Sequence, residues 1–225
     1  MKPVPVVFEN DEILVVNKPA GLPVQGGAGV SRSLDRELSW KVGRAVHLVH
    51  RLDKETCGLL VVAKSAAAAA RWARLLSSRA ARKEYEAVCF GVPAPDGAEA
   101  RSGVITADVR KAGRTLSAET AFSVEETFSV PVAGAEGGSV RFSRVRLVLG
   151  TGRTHQIRVH LAGAGAPVCG DDRHGNFRLN RLARKELGIR NLLLCARKIT
   201  FDAGGGKRTV EVELPAYFGA FRAGR

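Results

Sequence analysis

Short apolar and β-branched runs recur along almost the whole chain, each bounded by Gly, Pro or Asn-Asp turn signals, and this recurrence leaves few folds open. Val6-Val7-Phe8-Glu9-Asn10 and Ile13-Leu14-Val15-Val16-Asn17 read as paired strands across the Asn10-Asp11 turn, and Lys18-Pro19-Ala20-Gly21-Leu22-Pro23 must follow as a loop. Further strands are expected at residues 58–63, 83–90, 104–109, 118–124, 140–149, 192–201 and 208–214, the last two as a hairpin through Gly204-Gly205-Gly206. Residues 83–90 alternate with period two, as a strand covered on one face does. Helical spacing is confined to residues 31–41, an alanine-rich stretch at 65–78 with Ser65 as N-cap, and a segment opening near Thr154 as N-cap. Strands and helices do not alternate regularly, which argues for an α+β fold with a central mixed, mainly antiparallel sheet and flanking helices. No repeat or break in composition marks a second domain, so a single domain over residues 1–225 is expected, its core at about 6–218.

Charge narrows the partner. A net charge of +13 and a pI near 10.3 concentrate polyanions, pointing to nucleic acid or an anionic membrane. No apolar run has the length of a signal peptide or membrane span, which leaves nucleic acid and a cytoplasmic location. Cys57, Cys89, Cys169 and Cys195 form no CxxC pair and read as buried apolar side chains. His47 and His50 could face one metal by spacing, but no carboxylate or cysteine cluster completes a coordination set.

Three segments could carry chemistry. In His50-Arg51-Leu52-Asp53-Lys54, the cations hold Asp53 ionised, as a surface ion pair or as a reactive carboxylate. In Gly150-Thr151-Gly152-Arg153-Thr154-His155-Gln156-Ile157-Arg158, a glycine-rich turn entering a helix suits a phosphate, although a plain solvated face fits too. Arg158, flanked by Ile157 and Val159, would need a carboxylate if buried, and Asp53 is the natural candidate. Tyr85 either packs in the core or stacks on an unstacked base. Residues 64–83 hold six cations (Lys64, Arg71, Arg74, Arg79, Arg82, Lys83) and no acid before Glu84, an imbalance more like a binding face than a solvated helix.

Together these segments resemble the RluA-type pseudouridine synthases. Val16-Asn17-Lys18-Pro19-Ala20-Gly21-Leu22, His50-Arg51-Leu52-Asp53, Lys83-Glu84-Tyr85-Glu86-Ala87 and Gly152-Arg153-Thr154-His155-Gln156-Ile157-Arg158-Val159-His160 occur in that family's order, with Gly170-Asp171 and Leu192-Leu193-Leu194-Cys195-Ala196 in support. The resemblance implies the pseudouridine synthase catalytic fold with an RNA-binding cleft. It implies an isomerase that converts uridine in structured ribosomal or transfer RNA to pseudouridine with no cofactor and no metal; a monomer is the default expectation. On it, Asp53 is the nucleophile, Tyr85 stacks on the target base, and Arg158 pairs with Asp53. Arg51 grips the RNA, and His50, Lys18, Arg153 and Leu193 are further RNA-side residues. The family often has Tyr where this chain has His174, and usually His where Cys195 stands, so both positions are expected to bear on substrate choice. The small N-terminal RNA-binding domain of many relatives is expected to be absent, which leaves recognition to the catalytic domain, including the basic stretches 71–83 and 178–190. Rival readings are a non-catalytic RNA-binding protein, which would not need Asp53, Tyr85 and Arg158, and a metal-dependent nuclease, which would cut the strand.

Overall fold

The run at residues 58–63 has no polar side chain on either face, and in the computed structural model it is a strand buried at every position, β4 (Cys57–Ala63). The structure describes residues 3–219 apart from 28, 79, 112 and 204. Arg79 of the basic run and Gly204 of the expected hairpin therefore lie outside the described residues. The chain groups into two compact units, each assembled from separate stretches: residues 1–83 with 195–213, and residues 84–194 with 214–225.

In the first unit, β1 (Val6–Glu9) pairs antiparallel with β2 (Ile13–Lys18), and β2 pairs antiparallel with β4 from Ile13 opposite Ala63 to Lys18 opposite Gly58. Helix α1 (Leu34–Val42) buries Leu34 and Leu38 and ends where Gly43 turns left-handed at φ 73°. A two-residue strand, β3 (His47–Leu48), lies along β4 at Val62 and Ala63. Strand β9 (Leu194–Asp202) meets β4 in parallel at Cys57 and Gly58, and β10 (Lys207–Glu211) closes the expected hairpin on β9. The β4–β9 crossing needs Gly58: a Cβ there would lie 2.3 Å from the Ala196 carbonyl oxygen. Helix α2 (Ala66–Ser77) starts at the expected cap, Ser65 accepting from the Ala68 N–H, and drives Trp72 into the apolar centre formed with Ile13, Val15, Val61, Ile199 and Phe201. The indole N–H is satisfied at 2.7 Å by Glu12, so its burial leaves no orphan donor.

In the second unit, β5 (Ala81–Phe90, from Glu84 onward), β8 (Ser139–Leu149), β7 (Arg114–Pro131) and β6 (Ser102–Lys111) pair antiparallel in that order. β6 and β7 are longer than their apolar cores suggested, because they join in a tight hairpin with Lys111 opposite Arg114. Strand β5 departs from a one-faced pattern: its last four residues, Ala87 to Phe90, are all buried, so both faces are covered there. Helix α3 (Gln156–Gly163) begins two residues after Thr154; the capping position belongs to His155, and Thr154 does not cap it. A further helix, α4 (Phe177–Glu186), occupies most of the second basic stretch and is capped by Asn176, whose side chain accepts from the Leu179 N–H.

Among the described residues ten strands and four α-helices make an α+β fold, and among the described pairings only β4–β9 is parallel. The mixed, mainly antiparallel sheet expected from the sequence is what forms. All four cysteines are buried. Among the described residues no helix is long and apolar enough to cross a membrane.

Candidate active site

Asp53 sits half-buried in the loop that enters β4. Its carbonyl accepts the Thr56 N–H at 3.2 Å, closing a turn. Lys18 fastens this loop from beneath. It is 0% exposed, and its ammonium donates to the carbonyls of Pro19 (3.0 Å), Leu22 (2.9 Å) and Lys54 (2.8 Å), while the Gly21 N–H adds a second bond to the Lys54 carbonyl. All three ammonium protons are thus used inside the protein. Burial lowers the Lys18 pKa to about 8, partly opposed by the negative potential of Cys57, Glu55 and Asp53. The expected RNA-side role of Lys18 is therefore corrected: a side chain this enclosed ties the Lys18–Leu22 loop to the Asp53 loop and has no donor left for a phosphate.

His50 also ties its loop to a strand. Between its pairings with β9 and β3, strand β4 leaves the Val61 N–H without a strand partner, and His50 Nε2 accepts that proton at 3.0 Å. The imidazole fills a gap in the ladder and holds the loop against the strand. Burial, reinforced by the Lys83 charge, pushes its pKa down to about 3. The unfolded chain takes up this proton near 6.5 and the folded chain only near 3, so stability falls as pH drops through that window. The slope contributed is at most about 1.4 kcal/mol per pH unit. His50→Gln keeps an acceptor for Val61 and should flatten the profile there, which urea melts at stepped pH will measure. Arg51, by contrast, is exposed beside Asp53, where a phosphate contact requires it.

In the second unit, Tyr85 is a buried residue of β5 opposite Leu147. Leu193 is 1% exposed, its N–H on the Cys169 carbonyl and its carbonyl on the Val88 N–H; it is a core residue, which corrects its expected RNA contact. The loop before α3 is organised by Gln156. Its Oε1 accepts from Thr151 Oγ1 (2.7 Å) and the Arg153 N–H (3.0 Å), and its Nε2 donates to the Glu119 carbonyl (2.8 Å) and Thr120 Oγ1 (2.9 Å). A buried amide satisfied at four points fixes the loop. It also occupies an N–H that the phosphate reading had left open. Arg153 stays exposed, with one donor on the Ser117 carbonyl at 3.3 Å, so a phosphate contact is still within its means.

Arg158 is buried, and it has the carboxylate that burial demands. Its Nε and Nη2 each donate at 2.7 Å to the two oxygens of Asp171. Asp171 Oδ1 also accepts the N–H groups of Arg173 and His174, both at 2.9 Å. Burial pushes the Asp171 carboxyl up, but the Arg158 hydrogen bonds and these two N–H groups outweigh it and hold the pKa below the ordinary carboxylate range. The turn closes on itself: the Asp171 carbonyl takes the Gly175 N–H and Asn180 Nδ2, and Asn180 Oδ1 takes the Gly170 N–H. A Cβ at Gly175 would stand 2.2 Å from the Asp171 carbonyl oxygen, so the ring of contacts closes only over glycine. His174 meets His155, ring nitrogen to ring nitrogen, at 2.9 Å, and His155 holds a left-handed φ of 54°. Asp171 is the residue that sequence reasoning missed as a partner of Arg158; its signal was its place beside Gly170 in the segment supporting the resemblance. Among the described residues no group of three His, Cys, Asp or Glu side chains is placed to hold a metal.

This arrangement has clear relatives. The sequence pattern of the RNA pseudouridylate synthase family matches residues 12–163, and the chain belongs to that family, which makes it an isomerase in class. It is 35% identical to the ribosomal large subunit pseudouridine synthase C of Escherichia coli strain K12, across 93% of this chain and 66% of that protein. It is 29% identical to the protein of the same name from Rickettsia bellii, across 95% of this chain and 69% of that one, so it spans about two thirds of these relatives. The human RNA pseudouridylate synthase domain containing 4 superposes with a TM-score of 0.71 at 27% identity, covering 96% of this chain and 90% of that one.

Proposed function

We propose that this chain isomerises one or a few uridines of structured RNA to pseudouridine, that the RNA is ribosomal or transfer RNA in the cytoplasm, and that residues 1–225 work as one catalytic domain in a monomer. The observation that carries the reading is the construction of the Asp53 loop. Lys18, Gly21, His50 and Thr56 all lend hydrogen bonds to hold it, and Arg51 faces solvent two residues before the carboxylate. A surface ion pair needs no such scaffold; a nucleophile that must meet one atom of a substrate does.

Asp53 assists cleavage of the bond between uracil N1 and the ribose. The freed base turns about its own axis, C5 bonds to the same sugar carbon, C5 loses its proton and N1 gains one, so the atoms balance without a cofactor. Tyr85 stacks on the extruded base and takes the C5 proton, and Arg158 orients Asp53. Extruding the base costs a few kcal/mol, offset by stacking and by phosphate contacts to Arg51, Arg153 and the basic stretches at 71–83 and 178–190. The names of the bacterial relatives favour ribosomal RNA. Transcriptome-wide pseudouridine mapping in cells with and without the gene tests this. A ribosomal site that disappears on deletion and returns with the purified enzyme is the expected result; no lost site in any RNA would leave a binding protein instead.

A further inference from the structure

The two tryptophans of this chain have opposite fates. Trp72 is 0% exposed at the centre of the first unit, whereas Trp40 on α1 is 87% exposed. Tryptophan is rarely left in water without a use, because it offers a large apolar face that solvent hydrates poorly. Nor is Trp40 there by default, since α1 already has its core face in Leu34 and Leu38. Trp40 lies on the opposite face, one turn after Arg36, the i,i+4 spacing that makes two side chains neighbours. Beyond it, Lys41 and Arg44 are exposed on either side of the left-handed Gly43.

The charge of this face is uncompensated. The helix's carboxylates are engaged elsewhere: Asp35 accepts from the Gly26 N–H and Ser33 Oγ, and Glu37 from the Arg32 side chain and the Val4 N–H. Among the described residues no carboxylate pairs with Arg36, Lys41, Arg44 or Arg51. A groove within the same unit, lined by Gln25, Asp35 and residues 46–51, leads from α1 to Arg51, two residues short of Asp53.

We infer that the outward face of α1 is an RNA-docking surface, where Trp40 stacks on an unpaired base outside the target nucleotide and Arg36, Lys41 and Arg44 hold the adjoining phosphates. An exposed ring among cations suits single-stranded RNA, because every base has a face to stack while phosphates follow the charge. A duplex, whose bases are already stacked, offers the ring nothing. The inference rests on RNA being the substrate and adds where the strand flanking the target is gripped.

Trp72 is sealed, so quenching of intrinsic fluorescence by neutral acrylamide reports Trp40. A synthetic RNA stem-loop with unpaired uridines should shield Trp40 from acrylamide, whereas a duplex of equal length should leave it quenchable. In turnover assays on ribosomal RNA, Trp40→Ala should raise KM about tenfold, with the loss confined to KM, and Trp40→Phe should restore most of it. Circular dichroism melts check that Trp40→Ala folds as the parent does. Full quenching of Trp40 under saturating stem-loop, or an unchanged KM in Trp40→Ala, would overturn the inference. So would shielding that grows with protein concentration without RNA, which would assign the face to a second copy of the chain. If the stem-loop shields Trp40 but no RNA is isomerised, the docking surface stands and the catalytic reading of Asp53 fails.

Discussion

Asp53→Asn should abolish pseudouridine formation, by at least about 10⁴-fold, while RNA affinity and the melting curve stay close to the parent's. The amide keeps the size and shape of the carboxylate but has no charge with which to assist departure of the base. The loop keeps anchors that involve backbone atoms and other side chains. The Asp53 carbonyl still closes the turn on the Thr56 N–H, Lys18 still holds the Lys54 carbonyl, and His50 still caps Val61. Asp53 is one of the charges that favour a protonated Lys18, so its neutralisation depresses the Lys18 pKa further, a small effect at neutral pH. RNA binding depends on the basic surface and should retain its steep salt dependence. The assay is conversion of an RNA containing the mapped uridine, with affinity measured by filter binding on the same RNA. Full turnover by the variant would sink the nucleophile assignment; lost affinity with lost turnover would recast Asp53 as part of the binding surface.

The strands could be read from the sequence because β-branched runs between turn residues carry their own signal, and each lies within a few residues of where β1, β2, β4, β8 and β9 form. Helix α4 was hidden by composition. Leu179, Leu182 and Ala183 fall at helical spacing, but the cations interleaved with them read as a basic binding stretch, and Asn180 is buried because it bonds to Gly170 and Asp171. Lys18 misled for a related reason. A lysine after a strand in a basic protein reads as a phosphate contact, and only the folded Pro19–Leu22 loop brings three carbonyls round its ammonium. Leu193 and His50 likewise owe their roles to backbone partners distant in sequence. For Arg158 the physics was legible and Asp171 was not: apolar neighbours demanded a carboxylate, and a turn 13 residues on supplies one.

Asp171→Asn should be the most damaging single substitution in the second unit, destabilising by about 3–5 kcal/mol and lowering turnover on the order of 10²-fold. Four donors converge on the two carboxylate oxygens: Nε and Nη2 of Arg158 and the N–H groups of Arg173 and His174. An amide offers one acceptor where two stood and turns an NH₂ group towards donors, leaving a guanidinium that is only 7% exposed beside a neutral neighbour. The pH signature follows from the depressed Asp171 pKa. The unfolded carboxyl titrates near 3.8 and the folded one lower, so the pair's contribution is fully present above that range and is lost as pH falls through the folded value. In Asp171→Asn that acid-side loss should vanish, since the contribution is already gone at neutral pH. Stability and catalysis separate in the double variant Arg158→Met with Asp171→Leu, which removes both charges from the buried site. Apolar replacements of similar volume often match a buried ion pair in stability, so the double variant should recover much of the lost melting temperature. On the catalytic role proposed for Arg158, it should recover no turnover. If turnover returns with stability, Asp171 and Arg158 serve the fold alone; if stability returns and turnover does not, the buried pair is retained for the catalytic role proposed for Arg158.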